Sequence, residues 1–347
     1  MDIFKNQLYK DGIIKALPSF INKEKLFNKS VLITGATGLI CSAIVDIIRY
    51  LNESENAQIT VYVCGRNEQK AVERFGKDDF IKFVHYDALK PISIEQKADY
   101  IICGASVSSP KAFTETPVDT MMSNIDGLRN LLDYAREKSS QRVLYISSSE
   151  VYGKKASYEP FGENDLGIVD ILSPRSSYPM AKRACETLCV AYSVQYGTDT
   201  VIVRPGHIYG PTATSNDTRV SSVFGYASAK GENIEMKGDG KQLRSYCHCL
   251  DCATAILTVL TSGAKSEAYN ISNPNSIIDI MQMAEITAKA GGVKLIKATV
   301  SESDKKIFNP MDNSSLKSEK LESLGWKGVI GADEGLSSTV KILKESL

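Results

Sequence analysis

Three side chains in the middle of the chain have the types and spacing of an acid–base site. Tyr178 and Lys182 stand at i and i+4 in Tyr178-Pro179-Met180-Ala181-Lys182, which puts phenol and ammonium on one face of a helix. A free phenol titrates near about 10, too high for a base at neutral pH. A neighbouring ammonium favours the phenolate and draws Tyr178 towards a useful range. Upstream, the apolar run Val143-Leu144-Tyr145-Ile146 opens into Ser147-Ser148-Ser149-Glu150-Val151-Tyr152-Gly153. There Ser148 can bridge a substrate hydroxyl to the phenol by hydrogen bonds. A tyrosine–lysine pair alone is as consistent with a solvated helix face. Joined to a serine-rich strand end, it reads as machinery for removing a proton from an alcohol.

The elements that must hold these groups begin at Ser30-Val31-Leu32-Ile33-Thr34-Gly35-Ala36-Thr37-Gly38-Leu39-Ile40. An apolar strand breaks into a glycine turn and then into a helical run over 39–51, the arrangement that receives a dinucleotide pyrophosphate. Gly35 and Gly38 let the main chain approach the phosphates, and the N–H groups after Thr37, on Leu39 and Ile40, face the anion. A positive nicotinamide ring beside Tyr178 would favour its phenolate further. Cys41 occupies the third small position, compact enough for helix–sheet packing. A second strand, 59–63, ends at Cys64-Gly65-Arg66-Asn67. Arg66, with no acid beside it, leans towards the 2′-phosphate of NADP, whereas an arginine stacked on adenine would leave NAD. A third strand, 80–86, ends in Asp87-Ala88, where the carboxylate could accept from an adenine amino group. A fourth, 100–103, runs into the small-residue loop Gly104-Ala105-Ser106-Val107-Ser108-Ser109-Pro110. Helices over 118–137 and 178–196 alternate with these strands, so a parallel, doubly wound α/β sheet is expected. The expected layout is a helical extension over 1–29, a Rossmann-like dinucleotide-binding part over 30–205, and a mainly substrate-binding part over 206–347, with some chain returning to the sheet.

Composition narrows the partners. The 41 basic and 41 acidic residues cancel, which favours neither nucleic acid nor an anionic membrane. No apolar run reaches membrane-spanning length, and the first residues are too charged for a secretory leader, so a cytoplasmic protein is expected. Eight cysteines in 347 residues do not make a disulfide scaffold. Cys247-His248-Cys249 with Cys252 lacks the second ligand pair of a zinc site. Cys247 and Cys249 read as alternating strand residues and Cys252 as the opening of an apolar helix, so no metal is expected.

Taken together, Thr34-Gly35-x-x-Gly38, Asp87-Ala88, Ser148 and Tyr178-x-x-x-Lys182 resemble the extended short-chain dehydrogenase/reductases: the nucleotide-sugar epimerases, dehydratases and decarboxylases. Arg204-Pro205, Tyr209-Gly210-Pro211, Gly238-x-Gly240 with Arg244, and Leu324-Gly325-Trp326 agree. The resemblance implies a tightly held, recycled NAD or NADP, a nucleoside diphosphate sugar as substrate, and a homodimer built through a four-helix bundle. It implies Tyr178 as base, Lys182 on the nicotinamide ribose and Ser148 completing the triad. Asn124 braces the cofactor loop, and Ala105 and Arg204 join the cofactor set.

Within the family, Ala105-Ser106-x-x-Ser109-Pro110, Ser148-Ser149-Glu150-Val151-Tyr152-Gly153, Pro174-Arg175-x-x-Tyr178 and Asn216-Asp217-x-Arg219-Val220 look most like the UDP-glucuronate decarboxylases. That implies substrate contacts from Ser109, Ser149, Arg175, His207, Arg219 and Arg244, with Glu150 shuttling or orienting a proton. Removing hydride from sugar C4 gives a 4-ketone, and a carboxylate on C5 is then a β-keto acid able to lose carbon dioxide. Epimerisation needs only the triad and stays open. A 4,6-dehydratase places Asp-Glu where this chain has Ser149-Glu150. His207 stands where relatives usually carry an asparagine. From another class, a dinucleotide-binding sensor or scaffold without catalysis remains a reading of the same fold.

Overall fold

The computed structural model describes residues 2–90, 92, 94–107, 110–300 and 311–347. An N-terminal segment built of short 3-10 turns and helix α1 (Gln7–Ala16) precedes the first strand. β1 (Ser30–Thr34), α2 (Leu39–Glu55), β2 (Thr60–Gly65), α3 (Glu68–Phe75), β3 (Ile81–His85) and β4 (Tyr100–Cys103) follow. Next come α4 (Pro110–Glu115), α5 (Pro117–Glu137), β5 (Arg142–Ile146), α6 (Ser177–Tyr196) and β6 (Thr200–Pro205). Val31, Leu32 and Ile33 are all buried, as a strand covered on both faces of a parallel sheet must be. α2 runs on past the expected 39–51 through Asn52–Glu55 and stops at Asn56 in left-handed backbone (φ 51°). Its last turn is polar because it faces solvent, not because it is a loop.

The C-terminal part adds β7 (His207–Tyr209), α7 (Val220–Ala229), β8 (Ile234–Lys237), β9 (Leu243–His248), α8 (Cys249–Ser262), β10 (Ala268–Ile271), β11 (Ile277–Asp279), α9 (Ile280–Gly291), β12 (Leu295–Ala298) and β13 (Asn313–Ser314), and a final helix spans Ala332–Ser346. Seven strands form one parallel sheet in the order β10-β6-β5-β4-β1-β2-β3. The order reverses between β1 and β4, so their carboxyl ends open a crevice for a ligand. α5 and α6 cover one face through Leu128, Leu131, Leu132, Cys185 and Cys189. α2 and α8 cover the other, with Ile44, Ile48, Ile256 and Leu260 in one core. β10 and α8 thus come from the C-terminal part and complete the Rossmann-like layer. β7, β9, β11 and β13 make a smaller sheet, and β8 pairs with β12. Phe224, Ile234, Met236, Tyr246, Met283 and Leu336 form their separate core.

One local expectation is corrected. Cys249 opens α8 instead of continuing a strand, because His248 caps that helix by accepting from the Leu250 N–H at 3.3 Å. The N-terminal segment, made of α1 and short 3-10 turns, also forms a clamp. Tyr9 donates to Asp46 Oδ2 at 2.9 Å, and Arg74 forks onto the same fully buried carboxylate, with Nη1 3.2 Å from Oδ1. Arg49 reaches Asp2 at 3.1 and 3.2 Å while lying over the Phe4 ring. Among the described residues no helix is long and apolar enough to cross a membrane.

Removing one partner of a buried ion pair leaves an uncompensated charge. Asp46→Ala is therefore expected to cost about 3–5 kcal/mol in urea unfolding. A loss below ~1 kcal/mol would show that the clamp does not secure the segment.

Candidate active site

Gly35 lies at φ +68°, and a Cβ there would sit 2.9 Å from Ala105 Cα. No larger residue fits a turn packed this closely against the loop after β4. Thr34 Oγ1 accepts from the N–H groups of both Gly104 and Ala105 at 3.1 Å, which ties that loop to the turn. A Cβ on Gly104 would meet Cys41 Sγ at 2.2 Å, so Cys41 fits only because Gly104 is bare. Gly38 caps α2 without a side-chain hydrogen bond, leaving the first-turn N–H groups around Leu39 and Ile40 for an anion. Thr37 lies in the turn between the two glycines. A cavity of about 330 Å³ runs from Gly38 and Leu39 past Val107 to Thr214, Asn216, Asp217, Thr218 and Arg219.

Arg66, Asp87, Ala88 and Asn124, also singled out in the sequence, are not among the residues lining this cavity. Arg66 is exposed at the end of β2. Asp87 folds back, accepting from the Leu89 N–H at 3.1 Å and lying 3.7 Å from Lys90. Ala88 packs against Gly127 of α5, where a Cβ would approach to 3.1 Å. Buried Asn124 donates to Thr120 O at 2.7 Å and accepts from Ser106 Oγ at 2.9 Å. Ser109 lies outside the described residues.

At the end of β5, Ser148 caps a 3-10 turn over Ser149–Tyr152 by accepting from the Glu150 N–H at 3.2 Å, and Ser149 is buried within it. α6 brings Tyr178 and Lys182 beneath that turn. Lys182 is only 3% exposed and donates to Ile146 O at 2.9 Å, with its ammonium 5.6 Å from the Tyr178 ring centre. Burial lowers this lysine to about 8, partly offset by the neighbouring Cys185 and Glu186. Burial likewise pushes the Tyr178 phenol up to about 12, with Glu150 adding to the rise. Hydrogen bonding to Ser148 and Ser106 and the charge of Arg219 work the other way. The Lys182 ammonium is therefore held on a backbone carbonyl beside the phenol.

The basic residues sort themselves by partner. Arg175 forks onto Glu150 at 2.9 and 3.1 Å, both largely buried, and its guanidinium lies 5.9 Å from the Phe113 ring. Arg219 Nε pairs with Asp217 at 2.9 and 3.0 Å. Arg244, also buried, donates to two backbone carbonyls, Leu243 O at 2.9 Å and Asp312 O at 3.4 Å. His207 is pushed down to about 3 by burial and then by the Arg244 and Arg219 charges, so it is neutral, and its Nδ1 has no partner among the described residues. Arg204, expected against the cofactor, is corrected: it grips Glu186 at 2.6 and 3.0 Å, Tyr152 Oη at 3.0 Å and Glu163 O at 2.8 Å, behind the site. Reading the sequence placed Gly104 and Ser106 only within the small-residue loop after β4 and missed Phe113, which stacks on the Tyr178 ring. Ser106 stood in a quoted motif but had no role, and a phenylalanine in a short polar helix gives no periodic signal.

The sequence model of the NAD dependent epimerase/dehydratase family matches residues 31–272. The chain belongs to this family. It is 29% identical over 321 residues to UDP-glucuronic acid decarboxylase 1 of Xenopus tropicalis, covering 92% of this chain and 73% of that protein. It is 30% identical over 326 residues to UDP-glucuronic acid decarboxylase 6 of Arabidopsis thaliana, covering 92% and 91%. Among solved structures, a dTDP-glucose 4,6-dehydratase double mutant from Streptomyces venezuelae with NAD bound superposes with a TM-score of 0.75, at 24% identity, covering 91% of this chain and 97% of that one. A family member with this fold is an NAD-dependent enzyme.

Lys182 gives a test free of any substrate. Between pH 8 and about 10.4 the unfolded chain binds the proton that the folded chain has lost, so the burial cost is present below 8 and fades above it. Lys182→Met is expected to melt higher than the wild type at neutral pH without cofactor, with the gap closing through that window. A variant that melts lower at every pH would mean the ammonium is not held at a cost.

Proposed function

We propose that this enzyme modifies a nucleoside diphosphate sugar through a 4-keto intermediate, and that the sugar is UDP-glucuronate, which it decarboxylates. The carrying observation is the pair of Tyr178 and Lys182, buried together on α6 beneath the turn that Ser148 caps, with the Lys182 ammonium 5.6 Å from the phenol ring centre. The decarboxylases that share its sequence over nine-tenths of its length support the substrate.

NAD fits the residues present. The bare turn at Gly35 and Gly38 and the uncapped start of α2 would hold its pyrophosphate, with Leu39 and Ile40 supplying N–H groups. Asp87 and Ala88 face the adenine side. Ala105 and Asn124 brace the wall, and Lys182 takes the ribose. NAD is favoured over NADP because family and structural relatives are NAD enzymes, with Arg66 as an exposed cap on the adenosine. Bound NAD supplies the hydride acceptor and, later, the hydride donor. Tyr178 takes the proton of the sugar hydroxyl, and Ser148 holds that hydroxyl in line. Without cofactor the Tyr178 phenol, pushed up to about 12, stays protonated, and a positive ring bound beside it would favour the phenolate. Arg244, which donates to the Leu243 and Asp312 carbonyls, offers its charge to the diphosphate or carboxylate. Glu150, clamped by Arg175, orients the proton that replaces the lost carboxyl. Ser149 in place of an acid argues against expelling a hydroxyl.

The dimer is proposed on α5 and α6, which lie side by side and expose Val118 (71%) and Val194 (83%) with Met122 and Val190. Such a face is costly in water and suits a second copy in a four-helix arrangement.

Incubating the NAD-loaded protein with UDP-glucuronate, UDP-glucose and dTDP-glucose and weighing the products decides the reaction. UDP-glucuronate is expected to lose the mass of carbon dioxide. Loss of water from a neutral sugar would establish a dehydratase, and an isomer of unchanged mass an epimerase. Tyr178→Phe is expected to slow turnover about 10²–10⁴-fold while NAD still binds. NAD binding without turnover of any sugar would favour the non-catalytic reading.

A further inference from the structure

The turn over Ser149–Tyr152 carries Glu150 and follows Ser148, and a 3-10 turn of four residues leaves its last carbonyls without partners of its own. At its start, Ser148 accepts from the Glu150 N–H. Its end is finished by a side chain from another element. Arg183, the residue after Lys182 on α6, donates through Nε to Val151 O at 2.6 Å and through Nη2 to Tyr152 O at 3.2 Å. The same Nη2 reaches Gly167 O at 3.0 Å. Val151 and Tyr152 are buried, so removing the guanidinium would leave their carbonyls wanting a donor.

The backbone around this contact is packed too closely to carry larger residues. Gly153 ends the turn at φ +69°, and a Cβ on it would meet Ile168 O at 2.5 Å. A Cβ on Gly167 would meet Tyr152 O, also at 2.5 Å. Lys154 and Ile168 exchange both backbone hydrogen bonds, at 2.9 and 2.8 Å. The chain that leaves the turn therefore doubles back against it, and Arg183 ties both passes to α6.

We propose that Arg183 is a positioning residue, whose guanidinium fixes the main chain of the Ser148–Tyr152 turn against the helix that carries Tyr178 and Lys182. Residues 178 and 183 are separated by about one and a half helical turns, so the grip is transmitted to the phenol through one rigid element. Other contacts hold different parts of the turn. Arg175 fixes the Glu150 carboxylate at 2.9 and 3.1 Å, and the Tyr152 hydroxyl is held by Arg204 at 3.0 Å and Asn270 at 2.6 Å. Those are side-chain anchors, whereas Arg183 holds the backbone that sets where Ser148 and Glu150 stand. Arginine suits the place because its planar fork meets three carbonyls at once, where an ammonium is a single point charge. The proposal rests on Tyr178 as the acid–base group, with Ser148 and Glu150 acting beside it.

The experiment compares Arg183→Ala with the wild type, both loaded with NAD. Hydrogen exchange of the peptide over 148–155 is expected to quicken roughly 3–10-fold in the variant, while the glycine-turn peptide over 30–40 keeps its rate. On UDP-glucuronate the variant is expected to lose about 10–10²-fold in kcat, with KM and NAD affinity within about twofold of wild type. Millimolar ethylguanidinium, which can refill the gap, is expected to restore part of the kcat and slow the 148–155 exchange again. It should do neither in Tyr178→Phe. Arg183→Lys, which keeps the charge and the stem, is expected to show a smaller loss in the same direction and carries the test if the alanine variant does not fold. Wild-type kcat in the alanine variant overturns the proposal, as does unmoved exchange over 148–155. So does a loss that appears in KM or NAD affinity, or one accompanied by faster exchange throughout the sheet. If the wild type turns over no sugar while the 148–155 exchange responds to both the substitution and ethylguanidinium, the substrate is refuted and the grip on the turn is supported.

Discussion

A positive charge shut away from water governs this site. The Lys182 ammonium rests on a single strand-end carbonyl and is surrounded by thiols that burial keeps neutral, Cys41 being pushed up to about 12. The phenol above it is equally dry and, without ligands, keeps its proton. Two groups held away from their ordinary values side by side make an electrostatically unfinished arrangement, and what completes it must arrive with the ligands. In the proposed reaction a cationic ring would stabilise the phenolate and ribose hydroxyls would satisfy the ammonium. Catalytic competence in such a site is tied to occupancy, which protects against stray chemistry when the crevice is empty.

The second contribution comes from the other half of the chain. The glycine turn offers backbone N–H groups on one side, and the 207–244 region offers His207, Arg219 and Arg244 on the other. Arg219 leans on the Asp217 carboxylate, whereas Arg244 donates to the carbonyls of Leu243 and Asp312, so the two guanidiniums are not equivalent. A neutral imidazole between them adds hydrogen-bonding capacity without further repulsion, which gives a physical reason for His207 to stand where an amide would also serve.

The parts legible in the sequence were those where one residue type has no substitute. A positive φ beside a buried strand demands Gly35, and the i, i+4 spacing puts Tyr178 and Lys182 on one face of a helix whatever else happens. What escaped was set by contacts between distant segments. Arg204 is drawn inwards by Glu186, one helix earlier, and nothing near Arg204 in sequence announces it. Glu150 and Arg175 lie in separate turns, so their mutual pairing is invisible until α6 packs beneath β5. Phe113 sits in a helix of six residues, too short for an apolar period to emerge. Cys249 was misplaced because three residues of alternation look the same in a strand and at a capped helix start.

The sheet's outermost strand has a consequence for how the molecule comes into being. β10 lies beside β6, and its Asn270 donates to Phe161 O at 3.0 Å and accepts from Tyr152 Oη at 2.6 Å, while its backbone N–H meets Glu163. The wall behind Ser148 is therefore anchored by residues synthesised more than a hundred positions later. A nascent chain emerging from the ribosome can assemble the glycine turn early, but its reaction centre stays unsupported until that last edge is translated. Pausing before it would hold a half-built crevice with an open β6 edge, the stage most exposed to mispairing with a neighbouring nascent chain.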